Sequence, residues 1–535
     1  MSRRGVLLWA LLIPAAYAPS VIMGSGPSAA ALFTLAAATA LALFAVLALE
    51  RSRRLDHLAA RLDPMAKWLL MIAIAAFVAV SIAGSLERLA HYRESAMLGL
   101  FSQCYWTQLH GFVFANSQEA IDGSLVSHLG LHFSPTLLVL LPFYALWPHP
   151  AVLMAAQALA IGLAPVPLYH LLRRHVRPSA ASCLAVSLLG LPVFAWSGFV
   201  DFRDSSFLPV LLLSTLWAME SRRWGWLALF ALAALGVRED TGLIFVAMAL
   251  YTLAAGRGPW PSLLLAAAGM AWLALVPKLM MGRFASPGLI MDPERFFAAM
   301  FGHWGQTPGS AALAILTHPA RVIRTVLDAG SARYVYSLLL PLLLLPALGD
   351  WAALAALPGL ALNLLSAYPF MRSATTPYAL VPLTFFALAA LRLAARLANR
   401  APEERRAGTG LALGLIVLAG VMPAVVSSVP ANPSPVPPPP AAARVVAAIP
   451  AHAPIYAPLV LYPYLHQREH FDTWWNVGRL AVNPEFRARY RVIVVWPASD
   501  PPGERRDGAL ADSLAADPRF VARPGFEPFE FFERR

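Results

Sequence analysis

The sequence predicts an all-α polytopic membrane protein of about thirteen spans, followed by a small soluble α/β domain. Three observations point there. Apolar runs near twenty residues recur along the first 429 positions, arginine tracts punctuate them, and a proline-rich break then leads into polar, alternating sequence. The chain is 59% hydrophobic and 13% charged, with mean hydropathy +0.61, whereas soluble domains carry about 25% charged residues. The net charge of +12 resides largely in short tracts between apolar runs, so it reads as a topology signal and not as a nucleic-acid footprint. Cys104 and Cys183 lie in an outer loop and a span, which excludes a disulfide framework.

Taken in order, Arg3 and Arg4 hold the N-terminus inside while Val6–Met23 crosses outward. Ala16-Tyr17-Ala18 resembles a leader cleavage site, but Pro19 directly after it favours an uncleaved span. Ala29–Leu49 returns to the cytoplasmic cluster Arg51, Arg53, Arg54, Arg61 and Lys67, and Trp68–Leu86 goes out again. The polar run from Glu87 to Pro135 forms a long outer loop, and long ordered loops in compact proteins commonly bind or catalyse. Thr136–Trp147 is too short to cross and is expected to be re-entrant, which keeps Arg173, Arg174 and Arg177 inside after the span Ala151–Leu172. Further spans are expected near 180–198, 207–220, 225–237, 242–256, 260–281, 334–348, 351–366, 377–397 and 409–428. They leave Arg222, Arg223, Arg257, Arg392, Arg396, Arg400, Arg405 and Arg406 inside and the C-terminus outside. Residues 430–440 are a stiff polyproline spacer, and residues 441–535 form the outer α/β domain. In it, helices are expected at Ala441–Ile449 and Gly508–Ala515 and strands at Arg491–Trp496 and Glu527–Phe532.

Candidate chemistry concentrates on the outer side. Glu94 and Asp122 flank the middle of the long loop. His128 and His132, four residues apart, make a weak metal pair, and backbone hydrogen bonding is the plainer expectation. Tyr105 and Trp106 are expected at headgroup level. Asp201, Arg203 and Asp204 sit just beyond a span, where a solvated loop explains them as well as function does. Arg238-Glu239-Asp240 interrupts an apolar stretch, and ionisable groups at membrane depth are expensive unless they face a cavity, a partner or a function. Arg321, Arg324, Arg333 and Arg372 offer outer guanidinium groups suited to phosphate. Asn363 and Tyr368 are expected to cap and anchor a helix. No Walker loop, dinucleotide glycine motif or Gly-x-Ser-x-Gly elbow is present.

Several segments together resemble a bacterial family of polytopic membrane proteins, domain-of-unknown-function family 2079. They are Leu98-Gly-Leu-Phe-Ser-Gln-Cys-Tyr-Trp-Thr-Gln-Leu-His-Gly111, His132-Phe-Ser-Pro135, Asp201-Phe202, Arg238-Glu-Asp240, Thr317-His-Pro319 with Arg333-Tyr334, and Asn363-Leu-Leu-Ser366 with Arg372-Ser373. Members of that family look like GT-C glycosyltransferases. The resemblance implies a GT-C-like helix arrangement in the bacterial cytoplasmic membrane and an outward crevice. It also implies an acidic base or metal ligand in the first outer loop, a polyprenyl-phosphate sugar as donor, and room for a divalent cation. Two departures stand out. The family acid two residues before Gly99 is Met97 here, with Glu94 the nearest carboxylate, and the family's Asp-Phe-His-Pro-Glu is Asp201-Phe-Arg-Asp-Ser205.

Two functions follow as expectations. The first is transfer of a sugar from a polyprenyl-phosphate donor to an acceptor hydroxyl. Glu94, Asp201 or Asp240 would act as base, and His132, Arg203, Arg238, Glu239, Arg333 and Arg372 would hold substrate. The alternative is a non-catalytic transporter, lipid-handling or assembly protein on the same scaffold, although no repeat of the hydropathy pattern accompanies it.

Overall fold

The computed structural model describes residues 54–535 except 95, 122, 199, 287, 290–292, 343, 349, 428–437, 474–476 and 498–505. The first two expected spans, Asp122 and most of the proline spacer therefore lie outside the described residues. Among the described residues, four helices are long and apolar enough to cross a membrane: Arg54–Ala90, Ala151–Leu172, Pro259–Phe284 and Pro377–Asn399. Other expected spans are shorter or broken. The run 180–198 is a helix at Pro178–Val186, a 3-10 turn to Gly190, and a new helix at Pro192–Ser197. The run 334–348 passes from helix Ala329–Leu339 into 3-10 turns at Leu340–Leu342 and Leu345–Leu348. Each break falls at a proline (Pro192, Pro341, Pro346), whose ring removes a donor and crowds the preceding turn. Thr136–Trp147 holds a 3-10 turn, Pro135–Leu140, and a single short helix, Leu141–Leu146.

The helical body has two chemically distinct ends. Leu208–Glu220, Thr241–Ala254 and Leu380–Asn399 run between them, starting beside Asp204, Asp240 and Tyr378 respectively. At their far ends the arginines expected inside are gathered by acids. Arg174, Arg257 and Arg392 surround Glu220 at 3.8, 3.3 and 2.5 Å, Arg177 meets Asp63 at 2.6 Å, and Arg396 meets Asp350 at 2.6 Å.

The C-terminal region is a five-stranded mixed sheet. Ile455–Tyr456 lies between Phe471–Asp472 and Val492–Val495, parallel to both; Glu530–Arg534 and Phe520–Arg523 complete it antiparallel. Alternation along Val492–Val495 gives each face a core of its own. Ile493 and Val495 face a cluster with Leu480, Phe486, Leu510, Leu514 and Phe520. Val492 and Val494 instead belong to one apolar cluster with Leu98, Phe101, Tyr105 and Phe133 of the long loop. Tyr105 and Trp106 are 0% and 7% exposed inside the protein, not at headgroup level: Tyr105 packs on Phe114 and Tyr144, and Trp106 stacks on His110 and on His452 of the C-terminal region.

The Leu98–Gly111 motif is the docking face for that sheet. A β-carbon on Gly99 would stand 2.5 Å from the Tyr462 ring, so only glycine admits the close approach. Gln103, fully buried, donates to the Arg468 carbonyl at 2.7 Å and accepts from the Tyr462 hydroxyl and the Ser117 amide. Ser117 Oγ donates to the Phe471 carbonyl at 2.8 Å and accepts from its amide at 3.0 Å. Burying such polar groups is tolerable because each finds a partner.

Candidate active site

Three segments expected on the outer side converge beside the start of the helices. The His132-Phe-Ser-Pro135 turn docks on the end of helix Trp224–Leu235: the Thr136 amide donates to the Gly236 carbonyl at 2.9 Å and its hydroxyl to the Ala233 carbonyl at 2.7 Å. A β-carbon at Gly236 would lie 2.5 Å from Thr136 Oγ1, so this crossing too depends on glycine. The docking brings His132 Nδ1 to 3.0 Å from Glu239 Oε1, while the Phe133 amide donates to Glu239 Oε2 at 3.0 Å. Burial alone would push the Glu239 carboxyl up, but His132 and Arg238 outweigh it and hold Glu239 far below the usual range. Burial likewise opposes the charged imidazole, yet Glu239 raises His132 above its ordinary value.

Arg238 sits among three carboxylates. Its guanidinium is 3.1 Å from Asp240 and 3.8 Å from both Glu239 and Asp204. The Trp272 indole donates to the Arg238 carbonyl at 3.1 Å and fixes the backbone of this break. Asp201 and Asp204 are only 9% and 6% exposed, so the solvated-loop expectation fails. Gln157 is the reason: its carboxamide donates to the Asp201 carbonyl at 3.0 Å and accepts from the Arg203 amide at 2.7 Å, pinning the loop to helix Ala151–Leu163.

Asp201 and Glu94 form the second half of the cluster. Asp201 has φ +46°, the left-handed region that a non-glycine residue occupies only under constraint. One of its carboxylate oxygens pairs with Arg203 at 2.6 Å; the other is buried without a hydrogen-bond partner among the described residues. The Asp201 amide points at Glu94 Oε2 at 3.4 Å, and Arg88 holds Glu94 Oε1 at 3.0 Å. Burial, helped by the Asp201 charge and opposed by Arg88, lifts the Glu94 carboxyl to about 7. Met97, at the family's acid position, packs against the loop–sheet cluster.

His128 and His132 are each turned to a carboxylate. Their rings are 5.7 Å apart, and His128 Nδ1 is bonded to Glu119 at 2.9 Å, itself held by Asn116 at 2.8 Å. Both imidazoles thus have carboxylate partners, not the backbone partners expected. Among the described residues no three His, Cys, Asp or Glu side chains converge as metal donors. Of the candidate carboxylates, Glu94, Asp201, Asp204, Glu239 and Asp240 each face a guanidinium, an arrangement that does not fit a divalent cation.

Arg333 and Arg372 lie together in a neighbouring cleft of about 610 Å³, with Asp328, Tyr334, Ser337 and Ser373 in its walls. Arg372 pairs with Asp328 at 3.2 Å; Arg333 brings a second guanidinium. Asn363 links the cleft to the carboxylate cluster. Buried, it donates to the Tyr334 hydroxyl at 2.7 Å and the Tyr378 carbonyl at 3.0 Å, a brace deeper than the helix cap expected for it. The 3-10 turn Pro377–Ala379 that carries Tyr378 packs in turn against the turn Asp204–Phe207. Arg321 stands apart, stacked over Trp304 at 4.4 Å. Arg88, Glu119, Gln157 and Tyr378 had no distinguishing signal in sequence, since polar residues near apolar runs are common.

A family model for predicted membrane proteins matches residues 97–507, well over half the chain. The chain belongs to that family, DUF2079. Its DUF2079 match takes in Asp201, Asp204 and Arg238–Asp240 and three of the five strands of the C-terminal sheet, and begins just after Glu94. No curated protein matches the sequence. Among solved structures the chain is similar to ArnT from Cupriavidus metallidurans, crystallised bound to undecaprenyl phosphate. The identity is 13% and the TM-score 0.44, over 86% of this chain and 97% of that one.

Proposed function

We propose that the protein is a membrane glycosyltransferase of the outer face, drawing on a polyprenyl-phosphate sugar. The observation that carries this reading is the pairing of an arginine-walled cleft, Arg333 with Arg372, and a buried carboxylate cluster braced to it through Asn363 and Tyr378. Guanidinium groups suit a phosphate that must bind first and leave with the bonding electrons later. The acceptor hydroxyl oxygen attacks the anomeric carbon, the bond from that carbon to the phosphate oxygen breaks, and the phosphate departs on its lipid. The hydroxyl proton passes to the Glu94–Asp201 carboxylate pair. Two features suit this pair to receive it. Asp201 has an oxygen without a hydrogen-bond partner among the described residues, and the Glu94 carboxyl is lifted to about 7, near the working pH of a base. Asp240, half of a salt bridge with Arg238, orients that cation together with Glu239, while Arg203 and His132 line the acceptor side.

Native mass spectra of the detergent-purified protein, with polyprenyl-phosphate sugar added, test the reading. Wild type should retain the lipid and release its sugar to acceptors in a membrane extract. Arg372→Gln and Arg333→Gln should each weaken retention about tenfold, the worth of one charge-assisted contact. Glu94→Gln and Asp201→Asn should keep the lipid but abolish transfer. Retention with no turnover in wild type would favour the lipid-handling alternative, and no retention at all would end the proposal.

A further inference from the structure

The opposite end of the helical body carries a second, unassigned pocket. It is a cavity of about 180 Å³ walled by Tyr251, Arg257, Asp350, Trp351, Arg392 and Arg396. A water's share of liquid volume is about 30 Å³, so the space exceeds a single solvent site several times over. Its chemistry is lopsided. Glu220 alone faces Arg174, Arg257 and Arg392, and Asp350 faces Arg396 while also accepting from the Ala352 amide at 2.9 Å. Four guanidinium groups thus share two carboxylates.

Arg392 is the centre of the imbalance. It projects from the middle of helix Leu380–Asn399 and is 5% exposed. One terminal nitrogen meets Glu220 Oε1 at 2.5 Å and the other donates to the Tyr251 hydroxyl, but Nε is buried with no hydrogen-bond partner among the described residues. Buried guanidinium donors left unmatched are costly, and the cost is relieved by an anion. At the rim, Trp351 is 55% exposed beside Arg396, the pairing of an amphipathic ring and a cation typical of a membrane–water boundary.

We infer that this pocket binds a phosphate-bearing anion, with the phosphate between Arg257, Arg392 and Arg396 and any acyl chains passing Trp351. The headgroup of an anionic phospholipid and free inorganic phosphate share that chemistry. The site is separate from the outer cleft, so it does not depend on the glycosyltransferase reading.

The test is arginine-selective dicarbonyl labelling of the wild-type protein in nanodiscs, read by peptide mass spectrometry. Discs of phosphatidylcholine alone are compared with discs containing phosphatidylglycerol, and with phosphatidylcholine discs in added phosphate. Arg257 and Arg396 should be labelled about tenfold more slowly when the site is filled, while Arg405, outside the pocket, should not change. Protection by phosphatidylglycerol alone identifies a lipid headgroup; protection by phosphate alone identifies the soluble anion; either supports the site. Native mass spectra of Arg257→Gln/Arg396→Gln should then show loss of the retained anion, with Arg405→Gln/Arg406→Gln as control. Equal labelling of Arg257 and Arg396 in all three conditions would overturn the inference and leave a structural ion-pair network.

Discussion

At the scale of single residues, Glu94 carries a signed pH dependence. Its folded-state carboxyl is lifted to about 7 from an ordinary 4.5, chiefly by burial. Its contribution to stability is therefore fully present below about 4.5 and is lost as pH rises through about 7. Melting curves of wild type and Glu94→Gln should coincide near pH 4 and separate as pH rises, with wild type the less stable of the two above pH 7. His132 is the companion case, raised by Glu239 against burial. Its modification by diethylpyrocarbonate should titrate above pH 6.5 in wild type and shift downward in Glu239→Gln; an unchanged midpoint would remove Glu239 as its partner. Ionisable residues such as Arg238, Glu239 and Asp240 were legible in sequence because charge inside an apolar run is conspicuous. Arg88, Glu119 and Gln157 were not, since only tertiary contact separates them from ordinary polar residues. The partner of His128 was hidden for the same reason: Glu119 is nine positions away across a loop whose path the sequence does not encode.

At the scale of elements, two glycine crossings set the geometry. Replacing Gly99 with valine would drive a branched side chain into Tyr462, a strain of about 1–3 kcal/mol. Limited proteolysis should then cut the C-terminal sheet faster, and Tyr462→Ala added to Gly99→Val should restore part of the resistance. Equal protease resistance of wild type and Gly99→Val would refute this account of the motif. Long helices were readable from hydropathy, as Ala66–Ala90 and Leu380–Asn399 illustrate. Strands Ile455–Tyr456 and Phe471–Asp472 escaped notice because two residues offer no alternation to detect. Pro192, Pro341 and Pro346 were visible, but an apolar run conceals whether a proline bends a helix or ends it.

At the scale of the whole molecule, the charge pattern predicts sidedness. With Glu469 and Glu403 exposed in the C-terminal region and beside the arginine-rich end, Glu469→Cys should react with a membrane-impermeant maleimide from outside and Glu403→Cys only after the membrane is opened. Both background thiols stay quiet in this assay if burial protects them: Cys104 is buried and Cys183 partly so. Reversed reactivity would invert the topology.

The shared core of loop and sheet also sets a timetable for biogenesis. Gln103 waits for Arg468, 365 positions later, and Ser117 for Phe471, 354 positions later. At about 5–20 residues per second of synthesis, the loop stands without its cover for roughly 20–70 s. During that interval the Gly99 face and the Gln103 carboxamide stand without Tyr462 and Arg468, the partners that bury them in the finished protein. Chaperone dependence and exposure to proteases should accordingly peak while the ribosome is still working through the later helices, and truncation before residue 455 should leave the loop in that vulnerable state for good.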